Sequence, residues 1–210
     1  MNEKKQSYSG QGLDEDTVDH NPLNLIQLWL DEAKAAGIHL SEAMTLATST
    51  TDGRPSARLV LLKQVDEGGF VFFTNYNSRK AHELDANPQA ALVFYWPQLE
   101  RQVRVEGKVA RIDAAESDAY FKTRPRESQI GAAASPQSEV VASREVLEQR
   151  FHELEDEYEG REVDRPEHWG GYRLLPDRIE FWKGRPGRLH DRILYERQGD
   201  SAWSIKRLAP

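Results

Sequence analysis

Three polar side chains in the middle of the chain have the types and the spacing to bind a phosphate group. Tyr120, Arg124 and Ser128 stand four residues apart, which places them on one face if the segment is helical. Pro125 predicts that one helix stops at Arg124 and that another begins there, and the three side chains can still converge at such a junction. A phenol, a guanidinium and a hydroxyl together suit a phosphate, although a polar helix end would account for the same residues.

A second cluster of this kind is the triplet Ser78, Arg79 and Lys80, which directly follows a predicted strand. Ser78 is placed as the N-cap of a helix over residues 78–86. A helix N-terminus offers free N–H groups and a favourable dipole to an anion, so two cations and a hydroxyl there could form a phosphate site. The alternative is a capped helix with exposed basic residues.

Two predicted strands also carry cations. Arg58 and Lys63 bracket an apolar run, but the period of two puts them on opposite faces unless a bulge intervenes. Arg188, His190 and Arg192 alternate along a strand, so we expect all three to face one side. Such neighbours repel one another unless an anion lies nearby. Solvated surface charge is the competing interpretation for both sets.

Several chemistries are excluded by what the sequence lacks. Without cysteine there are no disulfides, thiolate nucleophiles or Cys–zinc sites, and the six histidines do not have metal-ligand spacing, so no metal is predicted. Walker, G-x-G-x-x-G, G-x-S-x-G and H-E-x-x-H motifs are missing too, which argues against a Rossmann-type nucleotide or flavin site.

The composition indicates a globular protein with a polar surface. The 210 residues are 38% hydrophobic and 30% charged, and the net charge of −7 argues against a nucleic-acid partner. No apolar run approaches the roughly 20 residues of a membrane helix, and residues 1–11 do not resemble a secretory signal, so no membrane contact and a cytoplasmic location are expected. An acidic protein with local basic clusters suits small anionic ligands.

The elements that must position these groups are mostly short strands. Strands are predicted over 44–50, 58–65, 70–75, 90–96, 102–112, 171–175, 178–183, 188–197 and 202–208. Helices are predicted over 22–36, 78–86, 113–122 and 143–158, with Asp113 and Glu116 in capping-box spacing. The apolar run in 58–65 predicts a strand buried on both faces. Together these patterns favour a mainly β fold with flanking helices (α+β), an antiparallel barrel or sandwich, with residues 1–21 as a mobile tail and 22–210 as a single domain.

Ten short stretches occur in one order along the chain. They are RLVLLK from residue 58, FTN from 73, SRKAH from 78, ERQV from 100, YFKTRPRESQIG from 120, PQS from 136, WGG from 169, IEFW from 179, RLHDR from 188 and RLAP from 207. Any one of them is weak evidence, but their number and order are specific in combination. In these stretches the chain resembles the pyridoxine/pyridoxamine 5′-phosphate oxidase family.

The resemblance implies an FMN-binding antiparallel split β-barrel that works as a homodimer, with two sites at the subunit interface. FMN would be bound by Arg58, Leu59, Val60, Leu61, Leu62, Lys63, Phe73, Thr74, Arg79, Lys80, Gln102, Gln137, Ser138, Trp182 and Arg192. The substrate phosphate would contact Lys63, Tyr120, Arg124 and Ser128. Arg188 and His190 would be catalytic and lie over the pyridine ring, with Leu189 also in the substrate site.

The implied reaction is a two-electron oxidation at C4′ of a phosphorylated B6 vitamer. A hydride would pass to flavin N5 and give pyridoxal 5′-phosphate, and O₂ would then reoxidise FMN and yield hydrogen peroxide. Arg188 and His190 would orient the ring and handle the proton of the C4′ substituent. The protein would supply orientation and charge, and the flavin the redox chemistry.

Two other functions remain open at this point. Another split-barrel flavoprotein, such as a flavin reductase, would keep the FMN residues but need not keep the substrate residues together. A carrier that binds FMN or pyridoxal phosphate without turnover is the other. The N-terminal tail also departs from the family: Tyr8 fits a segment that closes over the substrate, but Lys5 stands where arginine is expected and Asp14–Asp16 is acidic, so a lid role stays in question.

Overall fold

The computed structural model describes residues 12–199 and 202–210, and these form a curled antiparallel sheet with helices around it. The helices are α1 (Pro22–Ala35), α2 (Arg79–Ala86), α3 (Ala114–Thr123), α4 (Arg126–Ala134) and α5 (Arg144–Glu157). The strands are β1 (Ala43–Ser49), β2 (Pro55–Leu61), β3 (Gln64–Asp66), β4 (Gly69–Asn75), β5 (Gln89–Trp96), β6 (Arg101–Arg111), β7 (Trp169–Lys183), β8 (Asp191–Gln198) and β9 (Ala202–Arg207). This confirms the predicted mainly β fold with flanking helices.

The strands are ordered β2-β1-β5-β6-β7-β4-β3, while β8 pairs with β7 and β9 pairs with β8. All these pairs are antiparallel. One end of β7 pairs with β4 and its other end with β8, so β7 is shared between two parts of the sheet. A bulge at Glu106/Gly107 bends β6 where the two parts meet. A side chain at Gly107 would place its Cβ 2.1 Å from the carbonyl oxygen of Leu175, so only glycine fits.

The main core lies inside the curl of the sheet, and α1 covers one end of it. Alternate residues of β6 point inward, and Val103 and Val105 are fully buried as a result. Helix α1 begins at an N-cap, where the Asn21 side chain accepts a hydrogen bond from the Leu23 N–H at 3.0 Å. Its buried Trp29 packs edge-to-face with Phe181 at 5.2 Å between ring centroids.

A smaller apolar cluster holds α3, α4 and α5 against the start of β7. Its buried members are Phe121, Ile130, Leu154, Val163 and Trp169. Pro125 does break the helix as predicted, since α3 ends at Thr123, Arg124 is extended (φ −73°, ψ 148°) and α4 begins at Arg126. This second cluster therefore fixes a helix–helix junction beside the sheet.

The strand predicted over 58–65 is wrong in two respects. It is two strands, because the backbone changes partner between them: the Leu62 N–H donates to Glu42, next to β1, and the Lys63 N–H donates to Val71 in β4. It is also not buried on both faces. Strand β2 is the edge of the sheet and none of residues 12–199 and 202–210 covers its outer side, where Leu59 is 72% exposed.

Two further local predictions need correction. The separate strands predicted over 171–175 and 178–183 are one strand, β7, because Pro176 lies opposite Gly107 at the bulge, where a missing N–H is tolerated. The capping box is not formed: Asp113 is at the N-cap of α3 but its side chain makes no cap hydrogen bond. Glu116 instead pairs with Arg173 at 3.0 Å.

The described part of the N-terminal segment contacts the end of the sheet. The Leu13 N–H donates to the Asp191 carboxylate at 3.1 Å, and the Tyr195 hydroxyl donates to the Asp19 carbonyl at 2.7 Å. Lys5 and Tyr8 lie outside the described residues, and the mobility of the tail stays a prediction. Within the described ranges, no helix is long and apolar enough to cross a membrane.

Candidate active site

A cavity of about 480 Å³ opens between β2, β4 and the α3–α4 junction. Eleven residues predicted for the site line it: Leu59, Val60, Leu61, Lys63, Phe73, Thr74, Lys80, Tyr120, Arg124, Ser128 and Gln137. Thr123, Pro125 and Trp169, which were not predicted as site residues, line it too. None of these lining residues is acidic, so the cavity has a positive charge suited to an anion.

The α3–α4 junction brings the three predicted phosphate ligands to this cavity. Tyr120 is in the last turn of α3, Ser128 is in the first turn of α4, and Arg124 lies between the helices in the extended conformation required before Pro125. Nη1 of Arg124 is buried and has no hydrogen-bond partner among the residues that the structure describes. Burial lowers the pKa of Arg124, and the nearby Tyr120 partly offsets this. A buried guanidinium nitrogen without a partner is costly unless a ligand satisfies it.

Stacked aromatic rings form one wall of the cavity. The Phe73 ring is nearly parallel to those of Tyr120 and Trp169, with ring centroids 4.0 Å and 5.2 Å away and interplanar angles of 17° and 9°, and the Tyr120 and Trp169 centroids are 6.3 Å apart. The guanidinium carbon of Arg124 lies 4.6 Å from the centroid of the Trp169 ring. The stack therefore connects a strand residue, Phe73, to the groups at the helix junction.

Lys80 is a buried cation whose hydrogen-bond partners are neutral. Its Nζ donates to Thr74 Oγ1 at 3.0 Å, to Ser78 Oγ at 3.2 Å and to Gln137 Oε1 at 2.6 Å. Burial, with a smaller contribution from the charge of Arg58, lowers the pKa of Lys80 to about 8. An anion in the cavity would stabilise the charged form of this amine.

Arg58 and Arg79 lie behind this amine and share one carboxylate. Glu83 is buried and pairs with Arg58 at 3.4 Å and with Arg79 at 2.9 Å. Burial alone would raise the pKa of Glu83, but hydrogen bonds from Ser56, Thr48 and Arg79 hold it at about 2. Sequence reasoning missed Glu83, although its position four residues after Arg79 on a helix is a readable signal for an ion pair.

Seven of the predicted FMN residues do not line the main cavity: Arg58, Leu62, Arg79, Gln102, Ser138, Trp182 and Arg192. Arg79 and Ser138 line an adjacent recess of about 510 Å³, which also includes Glu83. Ser138 has a left-handed backbone (φ 75°), and it follows Gln137 directly, so the 137–138 turn contributes to both openings. Leu62 is a core residue, only 7% exposed.

A separate group of predicted residues lies in a row across three neighbouring strands. Gln102 of β6 pairs with Trp182 of β7, which pairs with Arg192 of β8. Residues paired in this way point to the same face, and it is the outer face because the adjacent residue Phe181 is buried in the core. Arg192 donates to both carboxylate oxygens of Glu180 at 2.8 and 3.0 Å, and these bonds raise its pKa. We call Gln102, Trp182 and Arg192 the outer row.

The predicted alternation of Arg188, His190 and Arg192 along one strand is wrong. Strand β8 begins only at Asp191. Arg188 is the last residue of the 3₁₀ turn Pro186–Arg188, directly after Gly187, and its φ is 63°. The turn still brings His190 to the outer row, with its ring 4.7 Å from that of Trp182. The Arg185 N–H donates to Nδ1 of His190 at 3.1 Å, which assigns the proton of a neutral ring to Nε2. Leu189 is 73% exposed.

The predicted site residues therefore form two groups within one chain. The cavity and its recess collect the anion-binding candidates, whereas Arg188, Leu189, His190 and the outer row contribute nothing to the walls of either. Among the described residues, no cluster of histidine, aspartate and glutamate could hold a metal ion.

Comparisons with known proteins identify the family. Residues 30–158 match the family model described as pyridoxamine 5′-phosphate oxidase. Residues 169–210 match the one described as the pyridoxine 5′-phosphate oxidase C-terminal dimerisation region, which supports a homodimer.

Relatives named pyridoxine/pyridoxamine 5′-phosphate oxidase match over nearly the whole chain. The relative from Trichormus variabilis is 56% identical over 98% of this chain and 96% of its own. The one from Rubrobacter xylanophilus is 58% identical over 98% of this chain and 94% of its own.

Two solved structures are similar. PhzG from Burkholderia lata, in complex with tetrahydrophenazine-1-carboxylic acid, has a TM-score of 0.91 and 32% identity, covering 97% of this chain and 100% of that one. A pyridoxamine 5′-phosphate oxidase-related, FMN binding protein from Nostoc punctiforme has a TM-score of 0.72 and 18% identity, covering 90% and 98%, and so supports the split-barrel fold alone. From its sequence matches and its fold, the chain belongs to the pyridoxine/pyridoxamine 5′-phosphate oxidase family of flavin-dependent oxidoreductases.

Proposed function

We propose that this protein is an FMN-dependent oxidase that converts pyridoxamine 5′-phosphate and pyridoxine 5′-phosphate to pyridoxal 5′-phosphate, with O₂ as electron acceptor and H₂O₂ as product. The observation that carries the proposal is the buried Nη1 of Arg124, which has no hydrogen-bond partner among the described residues and lies in a cavity that Tyr120, Ser128 and Lys63 also line. A phosphate would satisfy that nitrogen and would accept hydrogen bonds from the two hydroxyls.

The same cavity favours a phosphorylated substrate over a carboxylate. The PhzG structure contains tetrahydrophenazine-1-carboxylic acid, whose anion is a monovalent carboxylate with two oxygens. Here Lys63 and Arg124 line one cavity with the hydroxyls of Tyr120 and Ser128, without an acidic residue among its lining. A phosphate ester carries close to two negative charges and three acceptor oxygens, so it matches this set of donors better.

The residues present fit the phosphate end of FMN. Arg58 and Arg79 share one carboxylate, Glu83, while the hydrogen-bond partners of Lys80 are neutral, so this end of the cavity keeps a positive charge. FMN would be held by Arg58–Lys63, Phe73, Thr74, Arg79, Lys80, Gln137 and Ser138 of one chain and by the outer row of its partner. When bound, the flavin supplies the redox chemistry, since it accepts the hydride and passes the electrons to oxygen.

A dimer would bring the two groups of residues together. Apolar side chains on the outer face of the sheet are exposed in the single chain, including Leu59 at 72% and Tyr95 at 61%. The C-terminal dimerisation region, residues 169–210, contains Arg188, His190, Trp182 and Arg192. We therefore place the outer row of one chain over the cavity of the other, about a two-fold axis.

In this arrangement Arg188 and His190 act on the substrate ring. The Arg185 N–H fixes the tautomer of His190, so a neutral ring would act on the substituent at C4′ as an Nε2–H donor. Arg188 would hold the ring in the orientation needed for hydride loss, while the phosphate is anchored by Arg124. Arg192 stays charged because Glu180 raises its pKa, and it would serve the cofactor rather than transfer a proton.

The test is to purify the protein, identify the flavin released on denaturation and measure peroxide with four substrates. We expect FMN rather than FAD, and one peroxide for each pyridoxal 5′-phosphate formed from pyridoxamine or pyridoxine 5′-phosphate. Unphosphorylated pyridoxamine and a tetrahydrophenazine carboxylate should be poor substrates. Consumption of NAD(P)H without B6 turnover would indicate a flavin reductase, and binding without turnover would indicate a carrier; either result contradicts the proposal.

A further inference from the structure

The guanidinium of Arg124 is held by aromatic rings. Its carbon lies 4.6 Å from the centroid of the Trp169 ring and 5.6 Å from that of Phe121, while its buried Nη1 has no hydrogen-bond partner among the described residues. Arginine has many rotamers, and ordering a free one costs binding energy. The face of the Trp169 ring therefore attracts the guanidinium of Arg124 and holds it in place, as an acidic residue holds a typical buried arginine, but the ring does not neutralise its charge.

Trp169 is itself rigidly placed. Its backbone N–H donates to the Pro166 carbonyl at 2.9 Å, and its own carbonyl accepts from Arg165 at 2.6 Å. The ring stacks on Phe73 at 5.2 Å, meets Phe121 edge-on at 5.1 Å and is 6% exposed. Because Phe73 and Phe121 both pack against it, the Trp169 ring provides a fixed surface for the guanidinium.

We propose that Trp169 is a positioning residue that sets the preference of the site for phosphorylated substrates. This inference rests on the proposed function: through a cation–π contact, the ring of Trp169 holds Arg124 in the orientation that binds the substrate phosphate. The Tyr120 ring, which also contacts Phe73, is inclined by only 8° to that of Trp169, and the centroids of these two rings are 6.3 Å apart. One set of rings would thus align both the guanidinium and the phenol. Packing alone would explain a buried tryptophan, but it would not explain a guanidinium over its face whose buried Nη1 has no hydrogen-bond partner in the part of the chain that the structure describes.

The test is a double-mutant cycle between Trp169 and Arg124. Trp169→Leu and Trp169→Phe are each made alone and with Arg124→Ala, and kcat and KM are measured with pyridoxamine 5′-phosphate and with unphosphorylated pyridoxamine. We expect Trp169→Leu to raise KM for the phosphorylated substrate about tenfold, with kcat and the KM for pyridoxamine nearly unchanged. Trp169→Phe should retain most of the wild-type affinity, because it keeps a ring face. In the Arg124→Ala background, Trp169→Leu should raise KM no further.

A second measurement does not depend on the leucine variant folding. All five tryptophans are replaced by 5-fluoro- and then by 5,7-difluorotryptophan in the unaltered chain and in Arg124→Ala. Fluorine weakens the negative face of the ring with little change in shape, so KM for pyridoxamine 5′-phosphate should rise stepwise by about two- to fivefold in the first background only. The Arg124→Ala background controls for Trp29, which carries a similar contact with Arg101 at 4.6 Å.

Peroxide formation by the unaltered enzyme tests the proposed function, and the two comparisons test the role of Trp169. Suppose that the enzyme oxidises pyridoxamine 5′-phosphate, but that the increases in KM caused by Trp169→Leu and Arg124→Ala multiply in the double variant. Trp169 then does not position Arg124, and the same conclusion follows if fluorination raises KM equally in both backgrounds. Equal losses on phosphorylated and unphosphorylated substrates would also overturn the inference, since a general structural role produces that result.

Discussion

The cavity and the outer row differ in how completely one chain builds them. The cavity brings together cations from a strand connection, a helix start and a helix junction, and its Arg124 and Lys80 have no carboxylate partner among the described residues. In the outer row, Arg192 is already paired with Glu180 through two hydrogen bonds, and the surrounding face is open. One chain thus has a cavity lined by cations, whereas its outer row is a single open face.

The difference follows from how each group is made. Side chains meet in the cavity because β2, β4, α2 and the α3–α4 junction pack around it, which makes it sensitive to tertiary structure. The outer row needs only the register of three neighbouring strands, in which Gln102, Trp182 and Arg192 are paired. We expect substitutions in the cavity to affect binding of phosphates, and those near the row to affect the chemistry at the ring.

The largest effect is expected from Arg188→Ala. Removing a group that orients the ring at the reacting carbon should lower kcat about a hundredfold or more while changing KM much less. Steady-state kinetics with pyridoxine 5′-phosphate measure both constants. Arg178→Ala is the matched control, because Arg178 is also on this side of the chain but pairs with Glu106 and Glu196 at 3.6 Å, and it should be near wild type. A rise in KM with unchanged kcat would place Arg188 among the binding residues instead.

Subunit mixing tests whether the two groups belong to one site. Lys80→Met in the cavity and Arg188→Ala near the row should each leave little activity. After subunit exchange, half of the dimers are mixed and one of the two sites in each is intact, so about a quarter of wild-type activity should return. Native mass spectrometry confirms the exchange. If exchange occurs without recovery, each site is built from a single chain.

Arg124→Ala should raise KM for pyridoxine 5′-phosphate roughly ten- to a hundredfold and leave the FMN content unchanged, because it removes one charge-assisted contact to the substrate phosphate. KM and the flavin absorbance are measured on the same samples. Arg126→Ala is the control: that guanidinium donates to the carbonyl oxygens of Arg161 and Tyr158 and is outside the cavity lining, so its loss should change thermal stability but not KM. Loss of flavin from Arg124→Ala would show that the map of the cavity is wrong.

Sequence patterns predicted the parts of the fold that depend on local chemistry. Helix α1 was expected over 22–36 and runs Pro22–Ala35, because its apolar residues recur at helical spacing. The strand expected over 90–96 runs Gln89–Trp96, because this stretch is a short continuous apolar run. Pro125 located the helix junction, since the residue before a proline is driven out of the helical conformation. These features depend on near neighbours in sequence.

The failures occurred where distant contacts decide the structure. The split between β2 and β3 follows from a change of hydrogen-bond partner from β1's neighbour Glu42 to Val71, which no pattern within 58–65 reveals. Arg188 was placed on a strand because the alternation looked regular, but the preceding Gly187 (φ 69°) was a local warning of a turn. Trp169 and Arg124 meet only through folding, and neither residue type indicates the other.

The smallest effect is a pH dependence of FMN binding that arises from Lys80. Burial lowers the pKa of the free amine to about 8, and a bound phosphate would raise it again. Below pH 8 the amine is charged both in the free protein and in the FMN complex, so Lys80 gives the dissociation constant for FMN no dependence on pH. Above pH 8 binding must take up a proton, so the dissociation constant should rise by up to about tenfold per pH unit. Fluorescence titration of the apoprotein with FMN between pH 7 and 9.5 measures this.

Lys80→Arg is the control for that titration, since an arginine stays charged and its curve should be flat over the same range. Loss of folded apoprotein at high pH would not explain a rise in the wild-type dissociation constant for FMN. The folded pKa of Lys80 is below that of an unfolded lysine, so the unfolded chain binds more protons above pH 8 and this group makes the apoprotein more stable as the pH rises. Affinity and stability should therefore change in opposite directions. A flat wild-type titration would mean that Lys80, although it lines the cavity, does not meet the FMN phosphate.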